Sequence, residues 1–245
     1  MRRMLLVVMV AVVVLSAATA SLAQPATDKD DVRLRIFVHY PRDPGKPQPP
    51  QPVCNSTTTD PATYGVTGWH LAGSTEYRVN YVSIPSSVAD PATAIHNSFS
   101  AWNTLKAGNP DMIEGAPTTV KSARRDGQNI VAWGNVQYGN AIAVTYVWSS
   151  TNGEVVEVDC IMSSRLPWHY TDPTKPRIDP DQVCGDFCCY DVQDILTHEV
   201  GPWVGLDDRY SSADKDLTMY GYGAKGELKK DTLASGDTLG VAFIY

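Results

Sequence analysis

The run His198-Glu199-Val200-Gly201-Pro202-Trp203-Val204-Gly205-Leu206-Asp207-Asp208 decides how this chain reads. Residues four apart share one face of a helix, so positions 198 and 202 point at a common place, where paired histidines would grip a metal ion. Here the second position is Pro202. Glu199 stands where a general base would reach a water beside such an ion. Gly205 suits an exit from the helix through a conformation that a side chain hinders. Asp208 then returns a carboxylate whose reach to a metal matches that of an imidazole. Upstream, Asp191 is a candidate N-cap with Asp194 three residues on, an acidic form of the capping box. Val192, Ile195, Leu196 and Val200 recur at mixed three- and four-residue spacing, which predicts a buried helix over 191–204. Gly201 is a poor helix residue that close packing would justify.

Pro202 does two kinds of damage to this pattern. It carries no donor atom, so His198 and Asp208 remain as protein ligands where a catalytic zinc normally has three. It also lacks the amide that would bond the carbonyl of His198, and its ring crowds that carbonyl, at a cost of about 3 kcal/mol in a helix interior. Gly201 is the residue best able to tolerate a following proline. A substitute ligand would have to come from His39, His70, His96 or His169, and nothing in their spacing supports one.

Three further marks follow in order. Met219 lies in Leu217-Thr218-Met219-Tyr220-Gly221-Tyr222, the chain closes on a helix-like stretch over 232–245, and Ile95-His96-Asn97-Ser98-Phe99-Ser100-Ala101-Trp102 reads as a long early helix. With the 198–208 run, these marks resemble the metzincin zinc metallopeptidases, and within them the matrixin-like secreted enzymes, over Tyr64 to Tyr245. The resemblance implies an α/β (α+β) fold: a mixed twisted sheet, a long first helix, a zinc-site helix, a Met-turn and a C-terminal helix. It implies zinc as cofactor, held by His198 and Asp208, with Glu199 as catalytic base and Met219 and Gly205 as structural support. It further implies a peptide or protein substrate that pairs its backbone with an edge strand of the sheet. With Pro202 in place, the expectation is a metalloendopeptidase scaffold whose activity is severely impaired. The alternative is a non-catalytic secreted homologue that binds peptides in the retained cleft. Asp207, Asp208, Asp214 and Asp216 invite calcium, but their spacing matches no calcium loop, and a solvated acidic loop is expected instead.

The ends of the chain bound its setting. Arg2 and Arg3, the apolar run Met4 to Leu15 and Ser21-Leu22-Ala23 form an export signal over residues 1–23, too short to span a membrane. Losing Arg2 and Arg3 takes the formal charge from −7 to −9, which argues against nucleic acid or anionic membrane as partners. A secreted monomer of about 220 residues is expected, with an N-terminal extension over 24–63 and the catalytic-type domain over 64–245.

Five cysteines, Cys54, Cys160, Cys184, Cys188 and Cys189, read in an exported chain as disulfide formers with one left over. The 184–189 cluster is placed to staple the entry of the zinc-site helix to the Cys160 strand. Within the extension, Val32 to Val38 alternates as a strand does, and Pro41 to Pro52 is proline-rich and extended. Strands are further predicted over 77–82, 129–133, 141–148 and 154–162, with a helix opened by Asp90-Pro91.

Overall fold

The computed structural model describes residues 31–42, 61–105, 111–172 and 188–245. The expected export signal over 1–23, the proline-rich run from residue 43 onward, Cys54 and Cys184 lie outside the described residues. Stretches rich in Val, Ile and aromatic residues form β1 (Val32–Pro41), β2 (Thr75–Val79), β3 (Met112–Glu114), β4 (Asn129–Gly134), β5 (Ala143–Ser150) and β6 (Val155–Ser163). Short pairs follow as β7 (Trp168–His169), β8 (Tyr190–Asp191) and β9 (Tyr222–Gly223). Seven of these strands make one mixed sheet in the order β3-β2-β4-β6-β5-β1-β9, while β7 and β8 pair separately. The β3/β2, β2/β4, β4/β6 and β1/β9 pairs are parallel; β6/β5 and β5/β1 are antiparallel. The fold is therefore mixed α/β.

Among the described residues, three α-helices accompany the sheet. The first, α1 (Pro91–Asn103), starts as its chemistry requires: the Asp90 carboxylate accepts the Thr93 N–H, and Pro91 occupies a first-turn position that needs no amide donor. Its Ile95, Phe99 and Trp102 are buried. Phe99 stacks on Tyr77 of β2 and meets Trp203 edge-on. Next comes α2 (Val192–Val200), buried along its whole length, and Trp102 Nε1 donates to its Thr197 carbonyl at 2.9 Å. The chain closes on α3 (Ser235–Ile244). Burying about 150–250 Å² per aromatic residue, Trp102, Trp133, Trp168 and Trp203 anchor the main core between helices and sheet. A smaller core on Ile130, Ala132, Val144 and Ile161 fills the opposite face.

Two differences from expectation carry weight for the site. The predicted 77–82 strand ends at Val79 because the Asn80 side chain accepts the Ser83 N–H and winds Tyr81–Ser83 into a 3-10 turn. The segment Val32–Pro41, placed by the sequence in the 24–63 extension with a pro-segment, a linker and a strand added to the domain as its open roles, is a full strand of the main sheet. It pairs with β5 over eight residues, from Val32↔Ser150 to His39↔Ala143. Its Phe37 enters the main core, while Ile36, Val38 and Tyr40 pack on the smaller one. Among the described residues no helix is long and apolar enough to cross a membrane.

Candidate metal centre

The centre is organised by the short helix α2 and by what happens where it stops. Asp191 caps its start, with Oδ1 accepting the Asp194 N–H and Oδ2 the Thr171 N–H. Asp194 does not reach back as a capping-box partner would; its Oδ1 accepts the Lys230 N–H at 2.8 Å. The helix ends at Val200 rather than at the predicted 204, and its cap residue Gly201 still has helical angles. Pro202 has no amide for the His198 carbonyl, so the Gly201 N–H takes that carbonyl at 3.0 Å in a tighter turn. The Pro202 carbonyl accepts Trp69 Nε1 at 2.8 Å and the Gly205 N–H at 3.2 Å. Gly205 turns the chain out at φ +97°, and a Cβ there would meet the Trp69 carbonyl oxygen at 2.3 Å.

That turn brings Asp208 back to His198. His198 Nδ1 donates to the Thr218 carbonyl at 2.7 Å, which fixes the tautomer and leaves Nε2 with a lone pair. Nε2 faces Asp208 Oδ1 at 3.4 Å, and Oδ1 is buried with no hydrogen-bond partner among the described residues. Burial holds His198 well below the ordinary histidine range, and the nearby Lys230 charge adds to this. With Nδ1 donating to Thr218 and burial favouring the neutral ring, both facing atoms are acceptors, an arrangement suited to sharing a cation. Asp208 Oδ2 accepts the Tyr210 hydroxyl at 2.9 Å. Burial pushes the Asp208 carboxyl up to about 6 despite that bond.

Glu199 lies beside this pair. Its Oε2 accepts Thr145 Oγ1 of β5 at 2.5 Å and its Oε1 faces His39 Nδ1 of β1 at 3.1 Å. Burial raises its carboxyl to about 8, against the Thr145 hydrogen bond. The His39 ring centroid stands 4.0 Å from that of His198, inclined at 40°. On its other side His39 Nε2 accepts the buried Lys230 Nζ at 2.9 Å. Lys230 Nζ also donates to the Tyr220 and Tyr222 carbonyls, at 2.6 and 3.0 Å. His39, too, is held well below the ordinary range, by burial first and then by His198 and Lys230. Burial likewise lowers Lys230 to about 8, against the pull of Glu227 and Asp194. One donor atom each from His39, His198 and Glu199 lies within 4.8 Å of the others, so this buried group can hold a metal ion.

The turn beneath is fixed from α3. Asp237 accepts the Thr218 and Met219 N–H groups at 2.8 and 3.2 Å, and so positions the carbonyl that orients His198. The Met219 thioether lies against Gly201, where an added Cβ would stand 2.0 Å from Sδ. This contact explains a glycine at the end of a buried helix.

The sequence-predicted His198, Glu199, Asp208, Gly205 and Met219 thus gather at one place. Thr145, Thr218, Lys230 and Asp237 were not singled out, and His39 was weighed only as an unsupported substitute. The alternation of β1 put His39 on the Phe37 face, but no local pattern told which strand β1 would join. Of the other histidines, His70 bridges to Glu154, His96 is exposed on α1, and His169 is in β7.

Two expectations are corrected. Cys160 is not stapled to the helix entry but is a free buried thiol, while Cys188 and Cys189 are bonded to each other. The 207–216 acidic stretch is not simply solvated: Asp207 pairs with Arg35 at 2.5 Å, and buried Asp214 accepts from Thr63 and Arg209. No protein-family model matches the chain, and no curated protein matches it.

Proposed function

We propose that this chain is an exported zinc metalloendopeptidase by descent, of the metzincin, matrixin-like type, whose hydrolysis of peptides is severely impaired by Pro202. The observation that carries this reading is the facing of His198 Nε2 and the orphaned Asp208 Oδ1 at 3.4 Å, with Glu199 on the same helix. A buried imidazole whose other nitrogen donates to a backbone carbonyl is prepared as a metal ligand. The donor set of nitrogen and carboxylate oxygen fits zinc. When bound, zinc supplies an electrophile for the scissile carbonyl and lowers the pKa of water to about 7.

The chain's own residues would do the rest. Glu199 would take a proton from the attacking water and return it to the leaving amine. Each of its oxygens already accepts one hydrogen bond, from His39 and Thr145, and keeps a second lone pair for the water's proton. The Asp237–Thr218–His198 connection keeps the imidazole aimed while this happens. Both flanks of β5 are already paired, by β1 and β6, so strand addition of a peptide would have to use an edge of the described sheet, β3 or β9.

The test is peptide hydrolysis by this chain and by Pro202→His, with zinc content measured on both. The expected result is negligible turnover as the chain stands and a gain of at least 10-fold in the revertant, on the scale of ligand-shell changes. Ordinary metallopeptidase rates from the unaltered chain would overturn the claim of impairment. Absence of zinc from both chains would overturn the metallopeptidase reading.

A further inference from the structure

We propose that His39, delivered by β1, supplies the protein ligand that position 202 no longer provides, so that this chain keeps a divalent transition metal, zinc by preference, in an enclosed centre. The inference rests on the metal reading above and adds a residue that lies 159 positions before His198 in the chain.

Geometry comes first. His39, His198 and Glu199 each place a donor atom within 4.8 Å of the others. His39 and His198 are each 1 % exposed, so no competing solvent surrounds them. Asp208 Oδ1 stands 3.4 Å from His198 Nε2 without a hydrogen-bond partner. Two imidazole nitrogens and carboxylate oxygens make a donor set suited to zinc and its first-row neighbours.

Rigidity comes second. His39 is not on a wandering terminus. The eight-residue β1/β5 register fixes the strand on one side, and Tyr40↔Tyr222 and Pro41↔Gly223 fix it on the other. Lys230 Nζ, itself anchored on two carbonyls, holds His39 Nε2. The nitrogen turned toward Glu199 is therefore Nδ1, which now shares its hydrogen with Oε1. A metal taken up at Nδ1 replaces that hydrogen. The ring then carries its one hydrogen on Nε2, toward Lys230, and the His39–Lys230 pair releases one proton to solvent.

The whole chain is stripped with chelator, checked for folding by circular dichroism, and titrated with zinc against a competing chromophoric chelator. The same is done for His39→Gln, Pro202→His and the double variant. Cobalt-loaded samples with 15N-labelled histidine are read by paramagnetic NMR, which counts coordinated imidazoles without any substitution. The expected results are one zinc per unaltered chain, two shifted histidines, and a 10- to 100-fold or greater loss of affinity in His39→Gln. In the Pro202→His background, the same change should cost less than it does in the unaltered chain. One shifted histidine in the cobalt chain, or unchanged zinc affinity in His39→Gln, overturns the role of His39 while leaving the metal reading intact. No zinc in any of the four chains overturns both.

Discussion

At its start, α2 is capped from within its own segment: Asp191 Oδ1 accepts the N–H of Asp194, three residues on. At its end, 133 positions separate Trp69 from the Pro202 carbonyl to which its indole donates. The Trp69 carbonyl oxygen crowds Gly205, and Met219 crowds Gly201. One end follows a local rule of helix initiation. The other is made by distant parts of the chain closing on a proline break. Termination by tertiary contact leaves His198 in the last turn of regular helix and turns Asp208 back beside it.

Substitutions can break this contrast. The largest effect is expected from Gly205→Ala, which forces a side chain into positive φ and toward the Trp69 carbonyl oxygen at 2.3 Å. A loss of about 3 kcal/mol in urea unfolding is expected, and a loss below about 1 kcal/mol would deny that this approach sets the end. Gly201→Ala drives a Cβ into Met219 Sδ and should cost about 1–3 kcal/mol. Adding Met219→Ala should recover part of that cost, and strict additivity of the two losses would show that they do not couple.

Asp191→Ala probes the other end and should cost about 1 kcal/mol, the loss of a cap. It should leave zinc affinity less affected than Gly201→Ala does. Trp69→Phe removes one hydrogen bond to the Pro202 carbonyl, which still accepts from Gly205. About 0.5–1 kcal/mol is expected.

A site away from α2 serves as a control. Burial pushes the Asp159 carboxyl up to about 7, with the Arg124 N–H opposing and Glu157 and Asp126 adding. Its contribution to stability is full below about pH 4, the unfolded value, and is lost as pH rises through about 7. Asp159→Asn should flatten that part of the stability profile, and an unchanged slope between pH 4 and 7 would contradict the assignment.

Much of this architecture was legible because it is local. The Asp90-Pro91 start of α1, the alternation of Val32 to Val38 and the cap at Asp191 depend on residues a few positions apart. The run 198–208 named its own site candidates for the same reason. Its helix was read four residues too long, to 204, although the apolar periodicity stops at Val200 and Pro202 marks the break. His39 was not legible as a neighbour of Glu199, because 160 positions separate them and only the β1/β5 register brings them together. Lys230 was missed because a buried lysine in a short turn has no sequence signature apart from its partners.

The placement of β1 also sets the order in which the molecule can be finished. It is the earliest described segment to leave a ribosome, yet its partners are Glu199 and Lys230, 160 and 191 residues later. Closing contacts over such spans is slow, because the entropy of loop closure is lost before the contact returns anything. A growing chain can therefore form its hairpins and α1 well before His39 finds its place. The His39–Lys230 contact cannot form until the chain has been made through residue 230.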